Sequence, residues 1–497
     1  MNKSKLKKNV IVGLGGQLPV MLLGFILPRV MIVGYGSDVN GLLATISQIF
    51  TYMALLEAGI GQAAKNALYQ PIVQNDRNQI SFILSISRNY FKRLTVYYGA
   101  GVVFLAIVLP FVLNTTVDRY LIVVIVLLEG MSGVLTFFFA QTISIMLGAD
   151  GRSYVNNAIV ITDKILSYTV RIIMAECGVN IVLLQTAYFL ITVLKVVFYC
   201  LYFEREYTWI DLHMASRHEK LKDRNAYIIT EVAWTLFSST DMIVLSMFVD
   251  TKISSVYYVY NMIFSGLSFL LNAVYSSINY LLGQTYHTDL KKYEKIHDAF
   301  ISVFVGGMTV LVSTAYILCI PFIKLYTNGV TDIDYVYKAV PLLFCLVQLF
   351  SWSRYIGGNL TGIAGYAKKT SYISMAEALA NIFLSLVLVT KFGIVGVLAA
   401  TVAALPLKVL WCIYISDKKV MHRSYKTTAK ILGTNYLLFA IVVMCNKNLE
   451  LDISSYGQFA VYAIIITTLL AIMGSLLNVA VNPYCLQVFI KLLKDGK

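Results

Sequence analysis

Apolar windows long enough to cross a bilayer recur fourteen times along these 497 residues. They lie at about 9–33, 40–62, 95–113, 120–146, 157–175, 181–203 and 226–248, then at 256–282, 298–320, 339–358, 371–390, 394–415, 431–445 and 457–480. About 20 apolar residues in a helix span the hydrocarbon layer. Lipid offers no partner to a free N–H or C=O, so each window predicts a helix. Composition agrees: 58% of residues are hydrophobic and 13% charged, against about 25% charged in soluble chains. A cytosolic enzyme, a secreted disulfide scaffold and a disordered tail protein are excluded. An all-α integral membrane protein of twelve to fourteen spans remains.

The basic residues set the orientation. With the N-terminus inside, 28 of the 40 Lys and Arg fall in inside loops and tails, 6 in outside loops and 6 within spans. Losing one span would invert every later loop, so this bias supports fourteen crossings with both termini cytoplasmic. The net charge of +14 is then a cytoplasmic-face charge beside anionic lipid, and nucleic-acid binding is unneeded. The first apolar run contains Arg29 and lacks a small-x-small cleavage site, so it reads as a retained helix. The seven cysteines read as buried small hydrophobes. No G-x-x-x-x-G-K-[ST] occurs, which excludes ATP binding through a P-loop. No catalytic residues, metal site or cofactor are expected.

An internal repeat is visible. Gly36-Ser37-Asp38-Val39-Asn40-Gly41-Leu42 links the first two windows, and Asp250-Thr251-Lys252-Ile253-Ser254-Ser255-Val256 links the seventh and eighth. Lys195-Val196-Val197-Phe198-Tyr199-Cys200 is matched by Lys408-Val409-Leu410-Trp411-Cys412. Both pairs predict two pseudo-symmetric six-helix lobes, 1–204 and 225–416, with helices thirteen and fourteen and a cytoplasmic tail at 429–497. Each lobe begins inside, the parallel-repeat arrangement of transporters that rock about a central site.

Ionisable groups inside spans face a cavity or a partner by default. Lys195, Arg354, Lys164, Lys408 and Arg171 are the candidate cavity cations, a lining suited to an anionic headgroup; the alternative for Lys195 and Lys408 is snorkelling to the inner interface. Arg29, Asp241, Glu57, Glu129, Glu231 and Glu377 are candidates for a gate or for coupling to Na+ or H+, with Arg29 and Asp241 placed to bridge on the outer side. The acids have the alternative of simply neutralising nearby cations.

Leu27-Pro28-Arg29, Gly36, Asn40-Gly41-Leu42 and Leu55-Leu56-Glu57-Ala58-Gly59-Ile60-Gly61, with Ser238-Ser239-Thr240-Asp241-Met242-Ile243-Val244-Leu245 opening the second half, resemble the bacterial polysaccharide transporter family. These are Wzx-type O-antigen and capsule flippases of the MOP superfamily, relatives of the multidrug and toxin extrusion (MATE) exporters and of the lipid II flippase. Val249-Asp250-Thr251 departs from the more usual Leu-Gly at that turn. The resemblance implies a MATE-like fold in a bacterial cytoplasmic membrane. It implies translocation of an undecaprenyl-diphosphate-linked oligosaccharide to the outer leaflet by alternating access, with a polysaccharide polymerase and a chain-length regulator as partners. A lipid II flippase and a MATE-type drug or cation antiporter are the alternatives.

Overall fold

The computed structural model describes residues 15–57, 60–214, 235, 240–288, 290–446 and 451–484. Among them the chain is helical and contains no strand. Nine helical stretches among the described residues are long and apolar enough to cross a membrane. The count differs from the fourteen windows for physical reasons. Windows one and two run together as α1 (Gln17–Ala54), which turns at Gly36 with φ 86. Windows eleven and twelve merge in α11 (Ala367–Ala404), broken at Gly393 with φ 53. A positive φ is a conformation that only glycine adopts without strain, so both breaks take the place of a loop. Window five is helical but carries Asp163, Lys164 and Arg171 in its apolar run. Window eight is helical, in Thr251–Thr288, but its tyrosines, serines and asparagines keep it out of the nine, and most of window seven, including Glu231, lies outside the described residues.

The chain divides into two compact units, before and after the junction of Val256 and Tyr257. The first holds α1, α2 (Ile60–Gln74), α3 (Arg77–Val112), α4 (Arg119–Ala149), α5 (Ser153–Glu176), α6 (Ile181–Glu206) and a helical segment at 240–248. Here α3 packs on α4, α1 on α5, and α6 on both α4 and α5. The expected cytoplasmic loop at 63–94 is instead α2 and the start of α3. Asp76 caps α3 by accepting from the Gln79 amide at 3.0 Å, which satisfies one orphan donor. Ile80, Ile83, Leu84, Phe91 and Leu94 are buried along one face, each contributing about 1.5–3 kcal/mol. Arg77, Arg88, Lys92 and Arg93 hide that face from a hydropathy window.

The second unit holds most of α7 (Thr251–Thr288), then α8 (Leu290–Tyr326), α9 (Val340–Ser353), α10 (Tyr355–Ile363), α11, α12 (Pro406–Ile413, continued by a π-helical turn Tyr414–Val420), α13 (Lys426–Asn446) and α14 (Tyr456–Val481). Helix α8 is its hub, packed by α9, α13 and α14. Between helices in lipid the hydrophobic drive is weak, and small residues and buried amides hold contacts instead. Asn435 and Asn478 exchange side-chain hydrogen bonds at 2.9 and 3.0 Å, and Gly474 lets α14 approach Val310. Among the described cysteines, Cys319, Cys345 and Cys412 are buried as expected; Cys177 and Cys445 are exposed, a correction that follows from their places at helix ends.

Candidate functional site

In the first unit α5 and α6 form an antiparallel hairpin, and their polar residues fall on facing stripes. Asn156, Asp163, Ser167 and Arg171 recur at helical spacing on α5; Gln185, Tyr188, Thr192, Lys195 and Tyr199 do so on α6. The stripes meet as a ladder of three rungs. Arg171 donates to Gln185 Oε1 at 2.7 Å, Lys195 Nζ donates to Asp163 Oδ2 at 3.0 Å, and Tyr199 donates to Asn156 Oδ1 at 2.8 Å. Arg171 also lies 3.7 Å from Glu129 on α4, and its guanidinium sits 3.8 Å above the Tyr188 ring. Lys195 is eleven residues from the end of α6, about 16 Å at 1.5 Å per residue. Its ammonium turns to Asp163 and does not snorkel.

The middle rung floors a groove of about 420 Å³ between α5 and α6. Ala158, Leu166, Ile191, Leu194 and Phe198 form its walls, and Tyr154 and Tyr202 lie toward the end of the hairpin where the chain enters α5 and leaves α6. Asp163 Oδ1 is buried and accepts nothing. Lys164, one residue on, is exposed and does not line the groove, because consecutive helical residues point about 100° apart.

The second unit carries a comparable ladder where the halves of α11 and α12 fold together about Gly393. Asn381 donates to Thr401 Oγ1 at 2.7 Å, and Trp411 Nε1 donates to Thr370 Oγ1 at 3.1 Å. Between them, Glu377 and Lys408 lie within electrostatic reach of one another and of Arg354. Arg354 is buried at 3.7 Å from Glu377 and 5.5 Å over the Tyr355 ring.

Each of Lys195, Arg171 and Arg354 is therefore matched to a carboxylate. Of the other sequence candidates, Arg29 is partly buried in α1, Glu57 ends the 3-10 turn after it, and Asp241 is buried at the start of 240–248.

Two polar clusters escaped the sequence reading. In the first unit, buried Asp38 gathers the hydroxyls of Thr115, Thr116 and Thr251. Asn40 donates to Ser255 at 2.8 Å, and Ser246 bonds both Thr45 and Ser254. The segments 36–42 and 250–256 thus lie directly against each other, with Gly41 packed on the Thr251 carbonyl. In the second unit Arg423 forks onto Asp298 with two bonds of 2.7 Å and reaches fully buried Asp417 at 2.8 Å. Burial pulls the Arg423 guanidinium down, but its bonds to Asp298 and the charges of both acids outweigh that and hold it above its usual range. The exchanged turn residues at 250–256 were the one available signal for the first cluster; charge alternation in a loop gave none for the second.

No protein-family model matches the chain, and its sequence matches no curated protein. Solved structures do. The chain is similar to the lipid II flippase MurJ in an inward closed conformation, with a TM-score of 0.67 over 94% of this chain and 98% of that one at 14% identity. It is similar to an inward-facing multidrug resistance MATE family transporter of the MOP superfamily, at 0.62 over 79% and 93% with 12% identity. It also resembles the MATE multidrug transporter DinF-BH, at 0.60 over 85% and 97% with 15% identity. The chain has the all-helical fold that these membrane transporters and flippases share. It is a multi-pass membrane protein, and its structural neighbours are transport proteins, not enzymes.

Proposed function

We propose that this chain is a flippase that carries an undecaprenyl-diphosphate-linked oligosaccharide across a bacterial cytoplasmic membrane by alternating access, with both termini in the cytoplasm. The observation that carries this reading is the Lys195–Asp163 rung, an ammonium held deep in a span and opening on a groove. A diphosphate and sugars cannot enter hydrocarbon without replacing their water, and ladders of alternating donors and acceptors supply replacements. Because Lys195, Arg171 and Arg354 each have a carboxylate, the headgroup would meet a balanced surface and bind reversibly. The acids Glu129, Asp163 and Glu377 are then counter-charges that also suit H+ or Na+ coupling.

The alternatives divide by cargo. A lipid II flippase would use the same diphosphate contacts with another glycan; a drug or cation antiporter would use the acids. In cells whose surface polysaccharide depends on this chain, Arg354→Ala lowers export at least tenfold while the protein stays in the membrane. Lipid-linked oligosaccharide then accumulates on the inner leaflet. Wild-type export by Arg354→Ala, or drug resistance lost in its place, would sink the reading.

A further inference from the structure

We infer that the α5–α6 groove holds the first prenyl units of the lipid-linked substrate, with the adjoining phosphate on Lys195. The inference rests on the flippase reading and names where the lipid lies.

The groove's own chemistry selects the occupant. Its volume of about 420 Å³ lies within the range of small-molecule sites. Its walls are mostly hydrocarbon, so a glycan lying along them would leave its hydroxyls without partners. A branched, unsaturated hydrocarbon chain fits Leu166, Leu194 and Phe198. The floor is different. Lys195 uses one of its three N–H donors on Asp163. A plain acyl chain would cover the ammonium and leave its other donors without partners. A phospholipid headgroup rests at the membrane surface, about 12 Å from Lys195 along α6 when the apolar window ends at 203. The occupant must therefore bring an anion to the depth of the rung while its tail stays on the apolar walls. A prenyl diphosphate has both parts in that order. Its phosphate takes the remaining ammonium donors, and the chain runs along the seam.

The test is native mass spectrometry of the full chain in detergent with geranylgeranyl diphosphate, geranylgeraniol and phosphatidylglycerol as probes. Wild type and Leu190→Trp, which alters an exposed residue of α6 outside the groove, bind the diphosphate alike. Leu194→Trp, which fills the groove, weakens it at least tenfold. So does the double variant Asp163→Asn with Lys195→Gln, which keeps the rung hydrogen-bonded and removes its charges. Geranylgeraniol binds at least tenfold more weakly than the diphosphate to wild type, and that difference disappears in the double variant. Unchanged diphosphate binding in both groove variants, or phosphatidylglycerol binding as tightly as the diphosphate, overturns the assignment. Surface polysaccharide is read in the same strains. Export that needs the chain but tolerates Leu194→Trp removes the groove and leaves the flippase; export that continues without the chain removes the flippase reading itself.

Discussion

Arg171 shows how a guanidinium is tolerated in a span. It is bonded by Gln185, stacked on Tyr188 and faced by Glu129, three contacts from two helices. An uncompensated charge there would cost about 2.5–3.5 kcal/mol at mid-membrane, and breaking a buried pair costs about 3–5 kcal/mol. Arg171→Leu is therefore expected to lower the melting temperature in detergent by many degrees, and Glu129→Gln added to it recovers at least half of the loss. A double variant no more stable than the single would show that the Glu129 contact contributes nothing. At this scale the sequence singled out Lys195 and Lys408 through the matching Lys-Val motifs at 195–200 and 408–412. It was silent on their partners. Asp163 and Lys164 are neighbours in the chain, and only helical phase sends one to the ladder and the other to the surface.

Glycines decide which elements can touch. A Cβ at Gly41 would strike the Thr251 carbonyl, whereas one at Gly307 of α8 meets nothing within 4 Å. Gly41→Ala should thus destabilise the protein, while Gly307→Ala should stabilise it by about 0.4–1 kcal/mol, chiefly by restricting the unfolded chain. Paired melting curves check the opposite signs, and equal shifts would refute the packing argument. Arg423 makes the corresponding electrostatic joint, tying the start of α8 to the turn after α12. Arg423→Leu leaves Asp298 and buried Asp417 without their guanidinium and should cost about 3–5 kcal/mol, whereas Lys418→Leu on the same turn should be near neutral. Helix boundaries were the least legible elements. Windows find hydrocarbon-facing runs, but α3 begins at Arg77 through amphipathic packing, and α1 and α11 continue through windows that a hydropathy profile separates.

For the whole molecule, class was plain from composition and period, because nothing but helices satisfies so many apolar windows in lipid. The share of charges on inside loops also fixes an expected orientation that chemistry can check. Cys177, exposed at the turn between α5 and α6, is expected on the outer side. With the other six cysteines replaced, it should react with a membrane-impermeant maleimide on intact cells, while a cysteine at Ser153 should react only after permeabilisation. Reversed labelling would invert the topology. Cargo was the least legible property, since polar ladders report that something hydrophilic is accommodated without spelling out which glycan.

The cluster at Asp38 has a kinetic consequence. Its carboxylate is held by hydroxyls of Thr115, Thr116 and Thr251. Parting the turns at 36–42 and 250–256 would exchange those hydroxyls for water around the carboxylate. No opposite ions have to be pulled apart there, and no charge need travel through the membrane field for that fastening to release. The step should accordingly run at nearly the same rate in dilute and concentrated salt, and at any transmembrane voltage.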